Sequence, residues 1–293
     1  MKHINSLFLG GALALPSILL GQSAGHYPIG VEGVKGGTLP PPGFYLRDYN
    51  YFYGATQVND AHGDKAPVDF NAFAYVNAIR PVWITNFKLL GANYGMDVLV
   101  PIVYQEVKMA GVRQDTFGLG DIFAEPVTFS WHWQKLDLGI GYGLWIPTGD
   151  HDMNQLKPGL GYYSHMATGG ATYYFDTEKT WSLSALGRYE IHTKNSDFDR
   201  YPGDTLSLEW GLSKALIPAF ELGISGYWQQ QTTDDTGKGA VSTDDYSRVG
   251  VGPEINLACP KTGLFVSVRY AYEVMAENRP QGHTGVITLT KKF

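Results

Sequence analysis

Residues 135–146 read KLDLGIGYGLWI, and the two parities of this stretch have nothing in common. Even positions carry Leu136, Leu138, Ile140, Tyr142, Leu144 and Ile146; odd positions carry Lys135, Asp137, Gly139, Gly141, Gly143 and Trp145. A period of two puts alternate side chains on opposite sides of an extended strand. An unbroken apolar face set against glycine and charge, sustained over about 10 residues, is the dyad repeat of a transmembrane barrel strand.

The repeat recurs. Residues 181–192 set Trp181, Leu183, Ala185, Tyr189 and Ile191 against Ser182, Ser184, Arg188, Glu190 and His192. Residues 204–213 set four apolar side chains, Leu206 to Leu212, against Thr205, Ser207, Glu209 and Ser213. Three further segments, 220–229, 246–257 and 264–273, put Glu221, Arg248, Glu254, Arg269 and Glu273 on the polar parity. Weaker alternation over about 44–53, 69–80, 87–104, 121–133 and 160–175, with the closing GVITLTKKF, brings the count to about twelve strands. Pro126 falls inside one of them, where proline marks a bulge, and is expected to reset the parity.

A soluble sandwich also alternates, so the connections decide. Long polar loops are read at 59–67, 106–120, 147–159, 193–204, 231–245 and 276–283. Short turns fall between them at 81–86, 134–135, 176–179, 216–219 and 259–263. Long loops on one side and short turns on the other are the outer-membrane arrangement, and closure removes the sheet edges that lipid cannot solvate. The expected fold class is therefore all-β: a transmembrane antiparallel β-barrel over 44–293. The even strand number is expected to leave both termini in the periplasm.

The chain starts MKHINSLFLGGALALPSILLGQSAG. A basic Lys2, an apolar run from Leu7 to Leu20 and the small residues that follow have the plan of a signal peptide, 1–23; the run is short of the roughly 20 residues of a spanning helix. Its removal leaves 21 basic against 28 acidic residues, net −7. That balance speaks against nucleic acid as a partner. One cysteine, Cys259, permits no internal disulfide. Charged residues are only 17%, beside 36 Gly and 19 Tyr, against a usual charged share of about 25%; this suits a β-protein whose outer surface meets lipid. Phe293, ending the last strand on its apolar parity, is expected to sit in a periplasmic aromatic girdle and to act as the signal read by the barrel-assembly machinery.

Between signal and barrel lies a Gly/Pro-rich segment, 24–43, with Pro40, Pro41 and Pro42. It either folds into the barrel as a plug or hangs as a periplasmic linker. As a plug its Tyr27, Ile29, Val31, Val34 and Leu39 would meet the lumen, where Gly139, Gly141 and Gly143 leave room.

Several stretches carry a resemblance: GHYPIGVEGVKGGTLPPPGFYLRDYNYFYGA at 25–55, GLGDIFAEPVTFSWHW at 118–133, WIPTGDHD at 145–152 and GLGYYSHMATGGATYYF at 159–175. In this order they resemble the meta-pathway phenol-degradation proteins, also called SphA-like outer-membrane transporters. The resemblance spans essentially the chain after the signal. It implies an outer-membrane channel for small hydrophobic or aromatic compounds feeding a degradation pathway, and it brings no catalytic residues. The alternative is a structural or adhesive outer-membrane barrel that transports nothing.

No enzyme equipment is read. A lipid-cleaving barrel needs His and Ser side by side on its outer face; His132 and His192 fall on lumen parities, and His151, His165 and His283 lie in or near loops. The acidic loop clusters do not match a calcium loop, no Cys/His cluster offers a zinc site, and no cofactor is expected. The expected partners are outer-membrane lipid and lipopolysaccharide, besides the solute. Charge facing lipid at mid-depth costs about 2–4 kcal/mol, so Asp137, Arg188, Glu190, Glu209, Glu221, Arg248, Glu254, Arg269 and Glu273 are the candidate lumen lining. They either brace the interior as paired charges or line a polar path.

Overall fold

The computed structural model describes residues 25–152, 155–195, 197, 199–240 and 245–293; the expected signal peptide lies outside them. The strands are β1 (Gly43–Val58), β2 (Phe70–Leu89), β3 (Ala92–Met109), β4 (Val112–Leu119), β5 (Ile122–His132), β6 (Leu136–Ile146), β7 (Ser164–Tyr174), β8 (Trp181–His192), β9 (Arg200–Tyr201), β10 (Thr205–Ile217), β11 (Phe220–Gln231), β12 (Thr236–Gly237), β13 (Ser247–Cys259), β14 (Leu264–Glu277) and β15 (Pro280–Lys292). Each wall strand pairs antiparallel with its neighbours, β15 with β1, and β2 with β3, so the sheet closes. Because β4 and β5 follow one another along β3, the wall is a closed barrel of twelve strands. The short β9 and β12 pair with each other among the loops.

Alternation of burial follows the parities. Along β8, Ser182, Ser184, Arg188, Glu190 and His192 are buried while Trp181, Leu183 and Ile191 are exposed. The outward side chains are apolar all round the barrel, as on β10 (Leu208, Trp210, Leu212) and β15 (Ile287, Leu289). Where the termini of the wall meet, a ring of exposed aromatics appears: Phe44, Trp83, Trp133, Phe175, Trp181 and Phe293. Phe293 and Phe44 pack at 5.8 Å, and the Phe293 N–H donates to the Phe44 carbonyl at 3.0 Å. This is the aromatic girdle of a membrane barrel. The rim it marks is called here the terminal end; the long loops crown the other, the loop end.

Three connections differ from the sequence reading. Residues 81–86 are not a turn but part of β2, and the chain reverses at Leu90–Gly91. Residues 106–120 are not a loop: β3 continues past the barrel rim and returns as β4 around Ala110–Gly111. In both reversals the two residues have positive φ, 51° and 84° in one and 50° and 84° in the other, the tight turn that matches strand twist and takes glycine second. Residues 276–283 are likewise mostly strand, reversed at Asn278–Arg279 with Asn278 at φ 54°.

Pro126 does carry a bulge. Pairing of β5 with β6 slips between Ala124 and Val127, so Phe123 and Glu125 point inward before it and Thr128 and Ser130 after it. Its neighbourhood is a discontinuous part of the wall. Pairing of β2 with β3 lapses at Arg80 and Pro81, and β3 shifts register against β5 between Gly95 and Asp97. Pro101 marks the point where β3 changes partner from β4 to β5. A proline cannot donate to the ladder, which is why three of them gather where pairing is broken.

Candidate functional site

The inward faces of the wall converge on residues 25–42. At the loop end the His26 ring meets Asp121, Ser164 and His192; at the terminal end Leu39 packs on Tyr45, Val82 and Ile84. Between these points the segment touches β1, β8, β10, β13 and β14, so it runs the length of the lumen. It is not extended: Lys35 (φ 59°) and Gly30 (φ 87°) sit in tight turns, with the Gly36 N–H on the Gly33 carbonyl at 3.0 Å. Ile29, Tyr27 and Val31 are buried in one apolar cluster with Tyr49, Phe123 and Tyr227.

Charge holds the backbone. Glu209 accepts from the Tyr27 hydroxyl at 2.5 Å and from the Gly30 and Glu32 N–H groups at 2.9 and 3.1 Å. Arg188 pairs with Glu209 at 3.1 Å and lies 4.2 Å from the centre of the Tyr27 ring. Glu254 accepts the Val34 N–H at 2.9 Å and pairs with Arg269 at 3.3 Å, while Arg269 donates to the Val31 carbonyl. Lys35 reaches Glu221 at 2.7 Å, and the Thr38 hydroxyl donates to Asp137 at 3.2 Å. Glu190 accepts the His26 N–H at 3.0 Å, and Arg248 pairs with Glu273 at 3.2 Å. Of the nine side chains singled out from the strand parities, all but Glu221 are buried, and Glu221 is partly so. Seven of them contact residues 25–42 directly; Arg248 and Glu273 pair with each other.

Sequence reasoning missed the densest group. Glu32 accepts two hydrogen bonds from Arg47, at 3.0 and 3.1 Å, and one from the Tyr49 hydroxyl at 2.8 Å. Arg80 binds Asp97 through two nitrogens, at 2.7 and 2.9 Å, and Glu125 at 2.9 Å. Burial pushes the Glu32 carboxyl up, but Arg47, Arg188, Arg80 and Arg269 together pull it down to about 2. It is ionised at neutral pH, and the seated segment keeps this charge where four guanidiniums need it. Removing one member of such a network strands the others in a low dielectric, at about 3–5 kcal/mol.

Glycine makes the fit, though mostly at other positions than those expected. A Cβ at Gly211 would lie 2.6 Å from the Val34 Cα, and one at Gly170 2.8 Å from the Gly37 Cα. Gly139 does leave room for Leu39, but Gly141 and Gly143 make room for Glu125 and Phe123 of the wall. His165 and His283 stand on the outer face of β7 and β15, each against a tyrosine hydroxyl at 2.6 and 2.5 Å.

A cavity of about 700 Å³ remains between the segment and the wall at the terminal end. Leu39, Pro40, Pro41 and Val82 give it apolar sides, and Arg80, Asp97 and Glu125 line it where it abuts the broken pairing of β2, β3 and β5. It is large enough for a small organic molecule.

A profile of the family described as "Putative MetA-pathway of phenol degradation" matches residues 55–289. The chain belongs to that family. Among solved structures, an outer-membrane channel of Pseudomonas putida F1 (COG4313) is similar at 15% identity and TM-score 0.79, covering 87% of this chain and 97% of that one. The β-domain of the Bordetella autotransporter BrkA matches at 13% identity and TM-score 0.52, covering 86% and 99%. The translocator domain of the autotransporter NalP from Neisseria meningitidis matches at 13% and 0.52, covering 88% and 91%. These likenesses concern the fold. No curated protein matches. The phenol-degradation family thus presents here a twelve-stranded wall with a filled lumen.

Proposed function

We propose that the protein is an outer-membrane channel for small hydrophobic or aromatic compounds, with residues 25–42 as a plug that keeps water and ions out. The observation that carries this reading is the apolar-sided cavity of about 700 Å³ between plug and wall, set against the proline-broken stretch of β2, β3 and β5. Membership of a family named for phenol degradation supports the solute class, and likeness to a solved outer-membrane channel supports the setting. The inner charges act chiefly as a lattice that seats the plug, since positive and negative members pair within the wall and with the segment. Solute leaves the cavity sideways, between strands whose ladder is incomplete, into the bilayer. Both termini are on the periplasmic side in this reading; the barrel-assembly machinery reads Phe293, and lipopolysaccharide surrounds the loop end. The features described assign no catalytic step.

Restoring the ladder tests the lateral route. Pro81→Val together with Pro126→Val returns two N–H donors to the wall. Proteoliposome uptake of a small aromatic solute should fall several-fold in the double variant, while heat-modifiable gel mobility reports a folded barrel. Unchanged uptake by the folded variant would remove the route through β2, β3 and β5.

A further inference from the structure

The loop end of the lumen holds a group that the transport reading does not use. One ring nitrogen each of His26 and His192 and one carboxylate oxygen of Glu190 lie within 4.8 Å of one another. Ser164 Oγ stands between the rings, 2.7 Å from His26 Nδ1 and 2.5 Å from His192 Nδ1. We propose that His26, Glu190 and His192 bind one divalent transition-metal ion of the zinc or copper class and so fasten the N-terminal segment to β8.

The hydrogen bonds around the group orient it for this. His26 Nε2 is 3.0 Å from Asp121 Oδ2. A carboxylate accepts, so Nε2 carries the proton and Nδ1 of the neutral ring presents a lone pair toward Ser164. A ligating histidine characteristically gives its other N–H to a carboxylate, which fixes tautomer and ring plane. Asp121 is itself held, accepting the Gly149 N–H at 2.9 Å and the Leu160 N–H at 2.8 Å. His192 Nε2 is 3.4 Å from the Thr205 hydroxyl.

Charge argues in the same direction. Glu190 is fully buried and accepts the backbone N–H groups of His26 and Tyr27, at 3.0 and 3.3 Å. Among the described residues no basic side chain forms an ion pair with it, unlike Glu32, Glu209, Glu254 and Glu273. A buried carboxylate flanked by two imidazoles is complemented by a dication. Two nitrogens, a carboxylate oxygen and a nearby hydroxyl suit zinc or copper rather than calcium or magnesium, which take oxygen ligands. Trp145 stacks on the His26 ring at 5.5 Å and Tyr162 meets its edge at 5.0 Å, so the site is walled from bulk water. The Ser164 hydroxyl either completes the ligand set or rotates aside.

The test uses the full-length folded protein in detergent, stripped with a chelator, incubated with Zn²⁺ or Ca²⁺, and passed over a desalting column before metal analysis. One equivalent of zinc and no calcium should remain, and zinc should raise the temperature at which the band shifts to its unfolded mobility. His192→Phe, which keeps the ring volume, and Glu190→Gln should each retain at least about ten-fold less zinc and lose the thermal shift. His62→Ala, in an exposed loop, should behave as the wild type. Cu²⁺ should quench Trp145 emission in the wild type and not in His192→Phe. Folded wild-type barrel that retains no zinc, or His192→Phe that retains a full equivalent, overturns the site.

Discussion

Deleting residues 25–39 should turn a barrel that carries almost no current into one that conducts. Eight-stranded barrels are filled by their own side chains, whereas sixteen-stranded porins leave an aqueous channel. A vacated twelve-stranded lumen lies between, so single-channel current in planar bilayers should rise by about an order of magnitude or more on deletion. The expectation rests on what the segment occupies. Tyr27, Ile29 and Val31 fill the centre, and Val34 lies against Gly211 and Gly223 and Gly37 against Gly170, where the wall itself has no side chain to fill the space. The wall should still fold, because its ladder runs strand to strand without help from the segment. Freed of Glu32, of the Tyr27 hydroxyl and of the Val34 N–H respectively, Arg47, Glu209 and Glu254 would be hydrated by the water that enters, which removes most of the penalty of leaving them unpaired. A folded deletion variant with wild-type current would end the plug account.

The wall was legible in the sequence because lipid on one side and a packed polar interior on the other enforce a strict period of two. Leu183 against Ser184, or Leu208 against Glu209, can be assigned to a face by parity alone. Legibility failed where the backbone breaks that period. The slip between Ile84 and Lys88 hid the end of β2. The Pro126 bulge could be expected from proline chemistry, but its consequence, Glu125 placed on Arg80, could not. The hairpin β3–β4 rises beyond the barrel and carries polar residues on both faces, so Arg113, Gln114 and Asp115 read as loop.

The site was less legible than the wall. Parity marks which side chains enter the lumen but not what they meet there. Glu209 and Glu254 point inward for reasons any reader of the sequence can give; that they accept backbone N–H groups of residues 30–34 depends on turns at Gly30 and Lys35 that have no periodic signal. The grouping of His26 with Ser164, Glu190 and His192 joins positions up to 166 apart. Local spacing carries no trace of it. The one cue was a histidine just behind the expected signal peptide, in a segment with few other polar side chains.

This barrel should admit small apolar solutes and exclude polar ones of equal size. Uptake by proteoliposomes measures it directly, with a small aromatic solute and a sugar of matching size followed side by side against protein-free vesicles. The protein should speed aromatic entry several-fold and leave sugar entry at the protein-free rate. Equal acceleration of both would describe a general pore with an open lumen, and acceleration of neither a structural barrel; each would contradict this expectation.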